Sequence, residues 1–563
     1  MSGRVYASIL QRASSYTRSS ISPLQLVHLV ALPSSQPPPA HRCPFSSWTT
    51  FRSVHLRSTG EGSAGWSQRG RRFSTNQDLD LQLNRLHINN ILRSNEQIVN
   101  LPEFDGRGLS SVTKFESNQV AANTPNEDRR SAATCLQSKG MLFGVFDGHG
   151  GSACAQAVSE RLLYYIAVAM MPKKSLLELE NSMEYGRPVP PILQWYKHHA
   201  DLNYRDSASL YINHLRVFWQ DLLESEEHGN GMSPHDALEC AFKRLDADIS
   251  LEAQVPLSND LMKSTAIQVA FAGSTACVAH VGTEGIHVAN AGDCRAVLGV
   301  LEEDGSWSAL PLSQDHNSQN QKEMERIKAQ HPLSERNTVV TEDRLLGVLM
   351  PLRAFGDVRF KWSYELQQNI LANLGSGVDL DSLNLYQYTP ANYLTPPYLD
   401  VIPEITYHKL RPQDRFLILG TDGLWDELGN QEAVRLVGEH LSGIHPQAPV
   451  SSSEKQLKLG TMLELLLKRQ ARASPALDTN SSTHLIRHAL GRGEYGELCQ
   501  ERLASMLALP EDLARMYRDD ITATVVYLNS DLPRPQRSEQ NHLISQWPAE
   551  RERNYSHGRK GPS

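Results

Sequence analysis

The stretch Met141 to Gly151, MLFGVFDGHGG, limits the fold more than any other part of the chain. Met141 to Phe146 carry no polar side chain, so they predict a strand buried on both faces. The strand stops at Asp147-Gly148-His149-Gly150-Gly151, and Ser152 to Met171 resumes with apolar residues at helical spacing. A carboxylate and an imidazole are thereby held at the mouth of a rigid element. The glycines let backbone approach a ligand closely. Asp147 and a neighbouring backbone carbonyl can together offer oxygen to a hard cation. Taken alone, strand-Asp-Gly is an ordinary turn. The metal reading depends on what else the chain brings to that point.

Further acids repeat this setting. Glu127-Asp128 stand before a small-residue strand, Ser131 to Leu136, which leads through Ser138-Lys139-Gly140 into Met141. If the two strands pair as a hairpin, Glu127 and Asp128 enter the sheet where Asp147 leaves it. Gly292-Asp293, Gly356-Asp357, Asp422-Gly423 and Asp519-Asp520 sit beside glycine or a second acid, most of them at a strand end. Carboxylates gathered from several strand ends would repel by several kcal/mol unless cations lie between them. Oxygen ligands without a His or Cys cluster indicate Mg²⁺ or Mn²⁺ rather than zinc. A two-metal carboxylate site suits phosphoryl transfer to water, with His149 placed to protonate the leaving oxygen. The rival reading of His149 is a hydrogen-bonded turn residue, and that of Glu127 to Arg130 is a solvated loop of alternating charge.

Elsewhere, Leu83 to Leu92 predicts a short amphipathic helix and Val112 to Glu116 an extended segment. Ser233 caps a helix from Pro234 to Glu252, whose Ala237, Ala241, Leu245 and Ile249 share one face. Thr265 to Ala272, Ala276 to Val281 and Ile286 to Asn290 read as a β meander, with Ala296 to Val300 as a fourth strand. Asn320 to Gln330 and Gln431 to Leu441 predict helices, and Arg415 to Gly420 and Ala523 to Leu528 predict strands. Residues 172 to 235 and 364 to 400 look like insertions, and the polar tail from 529 to 563 reads as disordered.

Hydrophobic residues make up 40% of the chain and charged residues 21%, with a net charge of -8. The acidity argues against nucleic acid as a partner. Seven scattered cysteines without a C-x-x-C pair suit buried thiols of a reducing compartment. No apolar run approaches the ~20 residues needed to span a bilayer. Residues 1 to 73 hold nine arginines, one acid and no lysine among many serines and prolines. That is the composition of a mitochondrial targeting peptide, with Arg71-Arg72-Phe73-Ser74 as a processing region and residues 74 to 116 as an N-terminal extension. A disordered tail and a secretory signal are the rival readings.

Six separated motifs carry a resemblance: Glu127-Asp128, Asp147-Gly148-His149-Gly150-Gly151, Gly292-Asp293-Cys294-Arg295, Arg353-Ala354-Phe355-Gly356-Asp357, Thr421-Asp422-Gly423-Leu424-Trp425-Asp426 and Arg518-Asp519-Asp520. In order and spacing they resemble the metal-dependent protein phosphatase family, type 2C, over residues 117 to 528. FESNQVAANTPNEDRRSAATCLQ, AQAVSERLLYYIAVAMM, HVANAGDCRAVLG and LPEDLARMYRDDIT are similar to the branch of that family acting on pyruvate dehydrogenase, and to its second isoform.

The resemblance implies an α+β fold, a four-layer αββα sandwich of two antiparallel β-sheets flanked by helices. It implies two Mg²⁺ or Mn²⁺ ions per subunit and a third, weaker site. Asp147 would bridge the two ions, with the Gly148 carbonyl, Asp422 and Asp519 completing one shell. Glu127 would hold waters on the other ion and Asp128 would support that shell. Asp293 and Asp357 match the third position, and His149 matches the general acid. The family's phosphate-gripping Arg is replaced here by Asn123, which cannot form a charge-assisted bidentate pair. Asp520 stands where Asn is common.

The implied enzyme works in the mitochondrial matrix, removing phosphate from serines of the E1 component of pyruvate dehydrogenase. Implied partners are the lipoyl domain of the acyltransferase core and a regulatory subunit, with the two insertions as candidate contact surfaces. The alternatives are a type 2C phosphatase of another mitochondrial phosphoprotein, or a pseudophosphatase scaffold.

Overall fold

A computed structural model describes residues 83–101, 110–201, 208–226, 228–255, 260–372, 390–442, 478–493 and 496–529. Two six-stranded sheets organise the chain. The first runs, edge to edge, Gln97–Asn100, Val112–Val120, Ile521–Leu528, Asp414–Gly420, Arg295–Leu301 and Trp307–Pro311. The second runs Glu404–Lys409, Gly285–Ala291, Ala276–Val281, Met141–Phe146, Arg129–Cys135 and Leu193–Trp195. Every neighbouring pair in both sheets is antiparallel.

Strand alternation builds four layers. Met141, Phe143 and Val145 point between the sheets, where they meet Phe115, Leu298, Leu417, Leu419 and Val526 of the first sheet. Phe115 and Phe143 meet edge to face across this core, ring centroids 5.2 Å apart. Leu142 and Phe146 point the other way, under the helices Ala153–Met170 and Pro234–Gln254. On the first sheet, Phe416 and Ile418 face outward against the helices Asn430–Leu441 and Ser481–Leu490. Met141–Phe146 and the Phe416–Leu419 stretch of the first sheet are apolar because each residue is covered from one side or the other. The described chain is thus an α+β, αββα sandwich.

Local signals behave as their chemistry dictates. Asn84 caps the helix Arg85–Arg93 by accepting from His87 N–H at 3.0 Å. The Ser233 hydroxyl accepts from Asp236 N–H, and the Asn320 side-chain oxygen Oδ1 caps Gln321–Gln330 by accepting from Glu323 N–H. The Ser131 to Leu136 strand is Arg129–Cys135, paired with Met141–Phe146 as a hairpin so that Arg129 opposes Phe146. Residues 173–184 and 208–224 form helices, and Leu193–Trp195 is the edge strand of the second sheet. Phe218, Trp219 and Leu222 of that segment join the helical core.

Two expectations are corrected. Thr265 to Ala272 is not a strand; most of it lies in the helix Asp260–Phe271. Ile267, Val269, Ala270 and Phe271 are all buried in the helical layer, and a segment covered on every side shows neither a two-residue nor a 3.6-residue period. The meander is also interrupted. Ala276–Val281 and Gly285–Ala291 pair in the second sheet, but Arg295–Leu301 belongs to the first. Gly292-Asp293-Cys294 is therefore a crossing between sheets. The targeting peptide and its processing region (1–73), the tail after Asn529, residues 373–389 of the second insertion and residues 443–477 lie outside the described residues. No described helix is long and apolar enough to cross a membrane.

Candidate metal centre

Acids from both sheets meet at one end of the sandwich. Asp147 follows the Met141–Phe146 strand, Asp293 lies on the crossing from one sheet to the other, and Asp422 opens a short helix after Asp414–Gly420. One carboxylate oxygen from each of the three lies within 4.8 Å of the others. At such a separation two ionised carboxylates repel by about 3 kcal/mol for an effective dielectric of ~20. Burial raises the Asp147 carboxyl well above the ordinary range, and the charges of Asp422, Asp128 and Asp293 add to the rise. Burial likewise raises Asp293, then Asp422 does. For Asp422 itself the causes are burial and then Asp519.

The donor set fits a hard divalent cation. Asp422 Oδ1 is buried and has no hydrogen-bond partner among the described residues, an orphan that a cation would satisfy. The nearby Cys294 thiol lies 3.1 Å from Thr275 Oγ1 and is pushed up by burial and then by Asp147, which keeps it protonated and a poor ligand. Oxygen ligands alone remain, as Mg²⁺ and Mn²⁺ prefer.

The surrounding shell is built from backbone. A Cβ on Gly148 would come 2.5 Å from the Glu127 carbonyl oxygen, so the Asp147 to Gly151 turn, an elbow between strand and helix, packs on the Glu127 segment only with glycine there. Asp147 C=O accepts from Thr275 N–H at 2.9 Å. Asp128 is buried and accepts from the Thr421 hydroxyl at 2.8 Å, tying the first acidic pair to the Asp422 turn. Burial also raises the Glu127 carboxyl, opposed by a hydrogen bond from Gly151 N–H.

A three-stranded ribbon holds His149. Gly148–His149 pairs with Gly273–Ser274, which pairs in turn with Phe355–Gly356. Asp357 follows in the left-handed region, φ 48°, a conformation disfavoured for a non-glycine residue. Its N–H donates to Ala272 C=O at 2.9 Å, and its Oδ2 lies 2.5 Å from His149 Nε2. Burial opposes a charged His149 ring, but Asp357 outweighs it and the imidazole pKa is raised. Asp246 supports the turn by accepting from Gly356 N–H and Lys361 Nζ, at 2.9 and 2.8 Å.

The other sequence candidates divide among separate tasks. Asp357 stands with His149, outside the Asp147, Asp293 and Asp422 trio. Asp519 also lies outside the trio; its carboxylate pairs with Arg515 and accepts from Asp520 N–H. Asp520 accepts four hydrogen bonds, from the N–H groups of Ala122, Asn123 and Glu127 and from Asn123 Nδ2, at 2.5 to 2.9 Å. The Asn123 amide, the sequence candidate for phosphate, is thus committed to Asp520. Gly273, Asp246, His316 (whose Nδ1 accepts from Gly292 N–H) and Arg515 escape a reading based on acidic motifs. Only Gly273 leaves a trace, as the glycine closing an apolar run.

A family model for protein phosphatase 2C matches residues 194–456. The human mitochondrial protein [Pyruvate dehydrogenase [acetyl-transferring]]-phosphatase 2 is 52% identical over 487 residues, 86% of this chain and 91% of that one. The human phosphatase 1 of the same name is 54% identical over 464 residues, covering 82% and 86%. A solved serine-threonine phosphatase 2C from Toxoplasma gondii is 15% identical with a TM-score of 0.37, covering 77% of this chain and 99% of that one.

Proposed function

Because the chain belongs to the protein phosphatase 2C family, sharing 52–54% identity with pyruvate dehydrogenase phosphatases over most of its length, we propose the corresponding reaction for it. It is a mitochondrial Mg²⁺- or Mn²⁺-dependent protein serine/threonine phosphatase that dephosphorylates the E1 component of pyruvate dehydrogenase and so reactivates the complex. The observation carrying this reading is the converging trio of half-buried Asp147, buried Asp293 and half-buried Asp422, with its orphaned Asp422 Oδ1.

The roles follow from the chemistry of each group. Asp147, the Gly148 carbonyl, Asp422 and Asp519 would hold one ion, with Asp147 shared by a second. Glu127 would reach that second ion through water, with Asp128 fixed behind it by Thr421. Asp293 and Asp357 would serve a third, weaker position. When bound, such ions supply ionised water near neutral pH and neutralise charge on the phosphoryl oxygens. The protein's own residues then orient the substrate and deliver a proton. His149, whose pKa is raised by Asp357 against the effect of burial, would give that proton to the leaving serine oxygen. The imidazole is held between a carboxylate and a strand ribbon, so it meets the leaving group without reorganising.

The matrix is the compartment consistent with the named relatives and with the arginine-rich start. The lipoyl domain of the acyltransferase core and a regulatory subunit are proposed partners. The test is phosphate release by the full chain from phosphorylated E1, with Mn²⁺ and after chelation. Release that requires the cation and restores dehydrogenase activity supports the reading. Turnover that ignores chelation, or none on any phosphoserine substrate, overturns it.

A further inference from the structure

Arg515 sits on the rim of the acidic centre, just past the short helix Glu511–Ala514 and four residues before Asp519. Its guanidinium pairs with the Asp519 carboxylate while the side chain stays 52% exposed. Its charge reaches inward too, opposing the rise that burial imposes on the Asp422 and Glu127 carboxyls. Other basic groups near the motifs are engaged elsewhere. Arg295 is bidentate on Asp315 and donates to Asn430. Arg129 donates to Gln156 and to the Asn126 and Asp128 carbonyls. Arg359 donates to Phe271 C=O, and Arg518 to the carbonyls of Met506 and Asp519. The Asn123 amide is held by Asp520.

Resting on the phosphatase reading, we propose that Arg515 grips the phosphoryl group of the substrate, exchanging Asp519 for phosphate oxygens once Asp519 turns to a cation. The planar guanidinium fork matches two phosphate oxygens as well as it matches a carboxylate. A half-exposed i,i+4 ion pair contributes little, so giving it up costs little. Asp519 cannot serve a guanidinium and a hard cation at full strength together; loading the centre loosens Arg515 as substrate arrives. The next residues, Met516 and Tyr517, are 77% and 63% exposed, which leaves the approach open to a protein-sized phosphoserine donor. Arg515 thus supplies the positive charge that the Asn123 position lacks.

The test uses the full chain, Mn²⁺ and a phosphoserine peptide of the E1 sequence. Arg515→Ala is expected to raise both KM and the inhibition constant for inorganic phosphate by about tenfold or more, the scale of a charge-assisted hydrogen bond. The change in kcat should stay within about threefold, as for a lost binding contact. Arg515→Lys should recover part of the loss, keeping charge without the fork. Calorimetric titration with Mn²⁺ alone gives a readout independent of turnover: freeing Asp519 should leave the cation affinity unchanged or tighter. Unchanged KM and phosphate inhibition, a loss confined to kcat, or weaker Mn²⁺ binding would each overturn the assignment. An inactive wild-type chain would overturn the phosphatase reading and this assignment with it. An active wild type with an indifferent Arg515→Ala overturns the assignment alone.

Discussion

His149 Nε2 lies 2.5 Å from Asp357 Oδ2, joining residues 208 positions apart in the chain. Burial alone would keep the imidazole neutral, and the Asp357 carboxylate reverses that. In Asp357→Asn the carboxylate is gone while the burial remains, so the imidazole pKa should fall. The basic limb of the kcat–pH profile then moves to lower pH, and kcat near neutrality drops by about tenfold or more, part of the ~10²–10⁴-fold that a general acid contributes. Profiles at saturating Mn²⁺ decide it. A limb that stays put, with only a raised Mn²⁺ requirement, would confine Asp357 to the third metal position and remove it as the electrostatic partner of His149.

Gly273→Ala should disturb the same pair without replacing either residue. A Cβ at Gly273 would overlap His149 Nε2 and Asp357 Oδ2, so one side chain must leave its place. A displacement of this kind can cost about a hundredfold in kcat. Calorimetric Mn²⁺ affinity should hardly change, because the atoms nearest that Cβ belong to His149 and Asp357 and none to the Asp147, Asp293 and Asp422 trio. Wild-type kcat in the folded variant would mean the pair is not needed.

Asp422→Ala should remove cation binding and at the same time relieve the metal-free protein. Poorly solvated carboxylates facing one another destabilise the fold in the absence of a counter-ion. Wild-type stability should rise with Mn²⁺, by about 2.7 kcal/mol at a hundred times the dissociation constant. The variant should start higher in chelator and respond to Mn²⁺ hardly at all. Thermal unfolding with and without chelator measures both halves. A variant that keeps the full Mn²⁺ shift would remove Asp422 from the centre.

How far the sequence carries this molecule depends on the element. Met141–Phe146 and Asp414–Gly420 were legible because each alternates between two apolar surfaces and ends in Asp-Gly chemistry. The Asp260–Phe271 helix was not, since burial on all sides erases periodicity. Among the acids, position at a strand end was readable but the division of tasks was not. Asp357 turns to His149 because of a left-handed φ, and Asp519 turns to Arg515, and neither leaves a mark in composition. Asp520 looked like one more charge at the site; its oxygens instead fasten a loop.

That fastening has a measurable consequence. Asp520 holds Ala122, Asn123 and Glu127 through four donors on two carboxylate oxygens. Asp520→Ala leaves those donors without their acceptor, a loss of about 3 kcal/mol or more. Asp520→Asn should be intermediate, since its amide nitrogen must face donors. Urea unfolding should rank wild type above Asn above Ala, and kcat should follow because Glu127 is released. An Ala variant as stable as wild type would contradict this.

The helical layer behind the elbow carries its own pH signature. Arg161 donates to both Glu252 oxygens at 2.6 and 2.9 Å, tying the helix that follows the elbow to Pro234–Gln254, and His214 Nδ1 adds a contact at 2.8 Å. Burial works against the Glu252 carboxylate, but Arg161 and then His214 outweigh it and hold the group at about 2, below its ordinary 4.5. A depressed carboxyl pKa contributes stability above 4.5 that is lost as pH falls toward 2. His214 has the opposite sign. Its pKa is raised above 6.5, so its share is present below 6.5 and lost as pH climbs through the raised value. Glu252→Gln strands Arg161 and should cost about 3–5 kcal/mol. The stability difference between wild type and variant should therefore be widest between 4.5 and 6.5, narrowing steeply on the acid side and more gently on the basic side. Urea unfolding near pH 3, 5.5 and 8 (about one window each) measures it, and a difference that ignores pH would show that the ion pair does not hold these helices together.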